Sequence, residues 1–391
     1  MVDAISSLPE VKLSGDRAGS VHGLTLESPQ SGVVRMNGRS VIMLGSNNYL
    51  GLASHPKVIE RAKETMDTLG CGTAMNPGLC TTPVHVELAE AMADFTRSEA
   101  VILFNSCTAA NIALVQTLMG PDDVTLSDQY NHASIVDACR LSRTTTKIYP
   151  HKDLAGLNSL LEETGGARLR MIISDGVFSM EGDTIPLPDV IHLAEKYSAI
   201  VAVDDSHGAG VVGASGRGTA EHYGVMGQVD IQTGTFSKAL GAAGGGYVAG
   251  SKALIDFLND RARFFIFTSA MSPAAAASAL AALQVLGEEP GLVERLRDNT
   301  SRFRQGLQQM GLKVLGGESP ITPILVSDTS VATELSSRLF QQGVYVPGFG
   351  YPIVPEGEAR LRAQPSAAHS PADIQRALTA IESCAKQLGL I

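Results

Sequence analysis

Lys238 follows Thr235-Phe-Ser237 and precedes a run of small residues, Gly241-Ala-Ala-Gly244-Gly245-Gly246. An ammonium among small apolar groups loses hydration, its pKa falls, and the free amine can attack a carbonyl to form a Schiff base. A lone lysine is ordinarily a solvated surface residue, so its neighbours have to decide the matter. About thirty residues upstream, Val201-Ala-Val-Asp204-Asp205-Ser206-His207-Gly208 places an acid at the end of an apolar run and an imidazole three residues later. Taken alone, an aspartate there could cap a helix, bind a metal or hold a cationic ring nitrogen.

The elements that must position these groups are legible in the apolar pattern. Val101-Ile-Leu-Phe, Val124-Thr-Leu, Met171-Ile-Ile and Ala199-Ile-Val-Ala-Val are short runs bounded by polar residues or glycine, which predicts buried strands. Val190, Leu193, Ala194 and Tyr197 recur at helical spacing just before the last run, as in a helix laid on a sheet. The expected class is α/β with a largely parallel sheet. Such sheets bind ligands beyond the carboxyl ends of their strands, where Asp204 and Lys238 both fall. A helix is expected over the alanine-rich stretch from Pro273, and Glu289-Pro290 interrupts the pattern. Beyond it, Ile321 to Val326 and Val344 to Val346 read as strands and Pro371 to Leu388 as a closing helix. The expected organisation is an N-terminal arm (1–58), a large domain (59–290) and a smaller α+β domain (291–391).

At 391 residues the chain exceeds one ordinary core. Hydrophobic residues make up 44% and charged residues 18%, and no apolar run approaches the roughly 20 residues needed to span a bilayer. No membrane partner is expected. The start, Met1 to Glu10, has neither the basic segment nor the apolar core of an export signal, so a cytoplasmic protein is expected. The five cysteines are scattered and lack CxxC spacing, which predicts neither a disulfide framework nor a metal site. A net charge of −10 without a basic, aromatic-interleaved run speaks against nucleic acid.

Asp204-x-x-His207 followed by Thr235-x-x-Lys238 resembles the cofactor site of the α-oxoamine synthases, which use pyridoxal 5'-phosphate (PLP). Similar segments follow in the family's order: Asn47-Asn-Tyr-Leu-Gly-Leu52, Asn131-His-Ala-Ser134, Asp175 to Asp183, Phe267-Thr-Ser269, and Arg360-Leu-Arg362 with Ser366-Ala-Ala-His369. The similarity runs from about Ser46 to the C-terminus. It implies the aspartate aminotransferase-like PLP transferase fold, with a large mainly parallel sheet domain and a small C-terminal one. It further implies a Claisen-type condensation of an amino acid with an acyl thioester, on CoA or an acyl carrier protein, usually with decarboxylation.

The resemblance also assigns roles. Lys238 would carry the cofactor, Asp204 would pair with the pyridine nitrogen, His207 would bond the phenolic oxygen, and His132 would stack on the ring. Thr235 would hold the phosphate, together with Thr268 and Ser269 from the partner of a homodimer with shared sites. Ser179 would sit beside the cofactor, and Asn47 and Arg362 would meet the substrate.

Two segments depart from the family's pattern. Asn105-Ser-Cys107-Thr108 matches the phosphate-binding turn, but Thr108 stands where an aromatic is usual, while Cys107 is reminiscent of glycine C-acetyltransferases, which release their keto acid intact. Gly72 to His85, with Pro77, Cys80 and Pro83, differs in a region that borders the substrate in relatives. Competing readings are an aminotransferase of the same fold, a noncatalytic subunit, which the retained Lys238 opposes, and a dehydrogenase. The last rests on the GxGxxG match at Gly208 to Gly213, although this motif should open a helix directly after its strand.

Overall fold

In the computed structural model the described residues are 23–241 and 243–391. The start of the chain, on which the expectation about export rests, and part of the expected arm lie outside them.

An N-terminal hairpin, β1 (Val33–Met36) and β2 (Arg39–Met43), precedes the main sheet. That sheet contains β3 (Ala100–Phe104), β4 (Val124–Asp128), β5 (Thr145–Tyr149), β6 (Arg170–Asp175), β7 (Ile200–Asp204), β8 (Ile231–Thr235) and β9 (Gly246–Gly250). Its spatial order is β3-β9-β8-β7-β6-β4-β5, parallel except for β9, which runs against both neighbours. The four strands expected from apolar runs are β3, β4, β6 and β7. β5, Thr145-Thr-Lys-Ile-Tyr, is an edge strand with solvent on one side, so it alternates too weakly to stand out. Helices cover both faces, as a parallel sheet requires. In the helix Leu187–Tyr197 the buried stripe is Leu187, Val190, Ile191 and Ala194, while Leu193 and Tyr197 lie at its margin.

After the main sheet come β10 (Thr322–Ser327), β11 (Val344–Tyr345), β12 (Gly348–Phe349) and β13 (Ala359–Ala363). β10, β13 and β12 form an antiparallel sheet, while β11 pairs parallel with β2, so the N-terminal hairpin and the C-terminal region share one sheet. The closing helix is Pro371–Gln387, started by a Ser370/Asp373 capping box. Glu289-Pro290 separates the helices Pro273–Glu288 and Gly291–Gln309. The second of these bridges two cores. Its first turns bury Leu292, Val293 and Leu296 against the main-sheet domain, and its later turns bury Phe303 and Leu307 in the C-terminal core.

Gly208 to Gly213 forms successive turns, and the next helix is the short Thr219–His222. The motif therefore does not open a helix and lacks the geometry that places a dinucleotide phosphate.

Candidate active site

A cavity of about 230 Å³ lies at the carboxyl ends of the central strands. Asp175 ends β6, Asp204 ends β7 and Thr235 ends β8, while Asn105 to Thr108 lead from β3 into the helix Cys107–Leu118. His132, Ser134, Ser206, His207, Ser237 and Lys238 complete most of the wall. Chain turns after parallel strands thus gather residues more than a hundred positions apart, as the topology demands.

Lys238 Nζ lies 2.9 Å from His207 Nε2, and His207 Nδ1 lies 2.8 Å from the Tyr49 hydroxyl. Burial pulls the Lys238 amine below its ordinary range, against the opposing pull of the Asp204 carboxylate. Burial, then the nearby Lys238 charge, pushes His207 well below the usual imidazole value, so its ring is neutral at physiological pH. The turn carrying Lys238 is tied down by Thr235 Oγ1, which accepts from Ser237 N at 3.1 Å and donates to Gly245 O at 3.0 Å.

Across the cavity, the Asp204 carboxylate accepts from Asn111 Nδ2 at 2.6 Å and Ser206 N at 3.0 Å, with Cys107 Sγ 3.5 Å from Oδ2. His132 caps the helix Ala133–Ser142, and its backbone N–H donates to Asp175 Oδ2 at 3.1 Å. Asp175 was not among the residues singled out from the sequence, although its segment was. Burial and the neighbouring Asp204 push its carboxyl well above the usual carboxylate range.

At the other end, Ser106 caps the helix Cys107–Leu118 by accepting from Ala109 N at 3.1 Å. The helix start presents unpaired backbone N–H groups and partial positive charge, a setting for an anion. β9 packs directly on this turn: a Cβ on Gly246 would lie 2.4 Å from Cys107 N, so only glycine fits. Thr108 is exposed beside it.

The remaining expected residues fall outside this lining. Ser179 is turned so that its carbonyl accepts from Arg362 Nε at 2.5 Å. Arg362 is buried on β13, with Nη1 donating to Gln364 Oε1 at 3.0 Å. Gln364 Nε2 donates in turn to Asn47 Oδ1 at 2.5 Å and to Tyr49 OH at 2.9 Å. One polar chain therefore runs from Arg362 through Gln364 and Tyr49 to His207 and Lys238. Asn47 lines an adjoining hollow that shares Ser237 with the cavity. Arg360, by contrast, is 1% exposed and paired with Glu181 at 3.2 Å and Glu358 at 2.8 Å. Thr268 and Ser269 line a neighbouring cavity of about 420 Å³, and Asn105, which lines both, donates to Thr268 Oγ1 at 3.1 Å.

Comparison with known proteins gives this geometry its chemistry. A family model described as aminotransferase class I and II matches residues 39–381. An 8-amino-7-oxononanoate synthase of Thermoanaerobacter pseudethanolicus is 45% identical over 96% of this chain and 95% of its own length. The chain is an α-oxoamine synthase of this family. Another relative, 8-amino-7-oxononanoate synthase 1 of Bacillus subtilis, is 43% identical over 94% of this synthase and 93% of its own length. Among solved structures, Sphingomonas wittichii serine palmitoyltransferase superposes with a TM-score of 0.91 at 31% identity, covering 94% of this chain and 93% of that one. A variant serine palmitoyltransferase from S. paucimobilis with PLP and myriocin bound superposes with a TM-score of 0.89 at 31% identity, covering 94% of both chains.

The synthase is thus a PLP-dependent C-acyltransferase that condenses an amino acid with an acyl thioester, usually with decarboxylation. The residues present fit the cofactor. An amine for its aldehyde, a buried carboxylate for its ring nitrogen and a helix start for its phosphate face one cavity. Among the described residues no helix is long and apolar enough to cross a membrane, and no cluster of His, Cys, Asp and Glu could hold a metal ion.

Proposed function

We propose that the chain condenses alanine with a seven-carbon dicarboxylic acyl thioester, using a site built on Lys238, Asp204, His207 and His132. The observation that carries this is the 45% identity to an 8-amino-7-oxononanoate synthase over nearly the whole of both chains. That product name fixes its precursors. The methyl-bearing carbon with the amino group is what alanine keeps after losing its carboxylate, and the oxo acid portion is a seven-carbon dicarboxylic acyl group.

When bound, PLP withdraws electrons from the substrate's α-carbon, so that its proton can leave and the carbanion can attack the thioester. Lys238, held below the ordinary lysine range by burial, takes that proton and later returns one. Asp204 holds a proton on the pyridine nitrogen, and the donors Asn111, Ser206 and Cys107 keep its carboxylate oriented for that task. His207 bonds the phenolic oxygen. His132 would stack on the ring, with Nε2 left to donate to the acyl oxygen. Thr235 and the Cys107–Thr108 turn receive the phosphate. Arg362, with Asn47 beside it, takes the substrate carboxylate, a role suited to a planar bidentate donor, and Ser179 aims it through its carbonyl. We also propose a cytoplasmic homodimer in which Thr268 and Ser269 of one subunit reach the phosphate of the other.

Borohydride reduction of the yellow enzyme followed by peptide mapping is expected to find the reduced cofactor on Lys238, and label on another lysine would overturn the site. Assays pairing alanine, glycine and serine with dicarboxylic, acetyl and palmitoyl thioesters are expected to give fastest thiol and carbon dioxide release with alanine and the dicarboxylic donor. Preference for another pair would replace the substrate proposal.

A further inference from the structure

Asn111 is fully buried in the helix Cys107–Leu118, and every polar hydrogen and the oxygen of its amide are engaged. Thr233 Oγ1, on β8, donates to its Oδ1 at 2.7 Å. Its Nδ2 donates to Asp204 Oδ2 at 2.6 Å and to Ser134 Oγ at 3.0 Å. The orientation of the amide is settled by chemistry, since a carboxylate can only accept and must face the nitrogen. Ser134 Oγ, having accepted from Asn111, has its single hydrogen left for His132 Nδ1, 2.9 Å away. Ser134 N also donates to that nitrogen, at 3.2 Å. His132 Nδ1 is therefore an acceptor. Partial desolvation holds the imidazole below its ordinary proton affinity, so the neutral ring carries its hydrogen on Nε2, which has no partner among the described residues.

We propose that Asn111 is a positioning residue that ties Asp204 to His132 across the cavity and, through Ser134, fixes His132 as the Nε2–H tautomer. The consequence is that the acid under the ring nitrogen and the imidazole over the ring face are set by one buried amide. The oxygen of that amide is anchored from behind by Thr233, whose hydroxyl is not among the groups lining the cavity. Reversing the amide would point its oxygen at the Asp204 carboxylate and withdraw both donors at once. This inference rests on the proposed roles of Asp204 and His132 only for its catalytic meaning; the tautomer itself is a property of the protein.

The test is ¹⁵N NMR of the full-length enzyme labelled on histidine, with PLP bound and after its removal, the His132 signals being assigned by their loss in His132→Gln. The expected wild-type result is an unprotonated Nδ1 and a protonated Nε2 in both states. Ser134→Ala removes the hydroxyl link, and Thr233→Val leaves the buried Asn111 Oδ1 without its donor, which loosens the amide without touching any cavity residue. Each is expected to shift the His132 signals. Asn111→Asp, which abolishes the Nδ2 donors, is also expected to weaken PLP binding at least about tenfold in a fluorescence titration and to displace the pH titration of the bound cofactor's absorbance. A His132 protonated on Nδ1 in the wild type would overturn the inference. So would unaltered His132 signals in both Ser134→Ala and Thr233→Val, which keeps the test decisive should Asn111→Asp fail to fold. Cofactor on a lysine other than Lys238 would instead sink the site assignment while leaving the tautomer result standing.

Discussion

The chemistry at the residue scale turns on which groups are charged inside the cavity. Asp204 can keep a proton on the pyridine nitrogen only as a carboxylate, because a neutral amide offers that proton no counter-charge. Asp204→Asn is expected to retain PLP, which Lys238 and the helix start would still hold, while kcat falls by about a hundredfold or more. Activity near wild type would remove Asp204 from its role. Arg362 is aimed by Ser179 O and Gln364 Oε1, so its planar fork is preorganised. Replacement by lysine keeps the charge and loses the fork. Arg362→Lys is expected to raise KM for the amino acid about tenfold or more, with a smaller change in KM for the thioester. Equal changes in both would argue that Arg362 only supports the fold.

Between elements, the loops after β4, β5 and β6 are held together by an ionic clasp. His151, following β5, lies 3.0 Å from Asp128 at the end of β4 and 3.1 Å from Asp183 in the loop after β6, where Lys152 joins at 2.7 Å. The ring stacks on Tyr130 and meets Phe178 edge-on. Burial by itself would lower the His151 pKa, but the two carboxylates overcome it and hold the pKa up at about 9. A folded-state pKa above the unfolded one gives stability that is fully present below about pH 6.5 and fades as pH rises through about 9. Partial solvent access limits the contribution to about 1–3 kcal/mol. Urea unfolding of wild type and His151→Gln should therefore differ most near pH 6 and converge by about pH 10. A gap independent of pH would mean that packing, not charge, sets the contribution.

For the whole molecule, the position of Thr268 and Ser269 is the informative feature. They stand on the wall of the larger neighbouring cavity, outside the lining of the cavity that holds Lys238 and Asp204 in their own chain. Supply to a second subunit would give them a role. Mixing Lys238→Ala subunits with subunits carrying both Thr268→Ala and Ser269→Ala should then restore part of the activity, because one site of each heterodimer receives both lesions and the other neither. The parents must be nearly inactive and must exchange subunits, which a tagged pull-down measures. Verified heterodimers without recovered activity would refute shared sites.

The sequence by itself determined the alternation of buried strands and covering helices, the break at Glu289-Pro290, and the family. It also singled out Lys238, Asp204, His207 and His132, because each stands directly after a strand or in a motif whose residue types have few other uses. The edge strand β5 and the pairing of β2 with β11 were not legible, since a solvated edge lacks a clean apolar period and a parallel pairing across 300 residues has no local signal. Asp175 was hidden for a related reason: an acid at a strand end reads as a turn residue until the fold sets it beside Asp204. Asn111 is the clearest case. Within a helix whose buried residues are otherwise apolar it looks like an ordinary polar interruption, and only the packing of that helix on β7 and β8 turns its amide into the link between Asp204 and His132. Residue type carries chemistry along the chain, but which hydrogen bonds a buried amide makes is decided by the neighbours that tertiary structure brings to it.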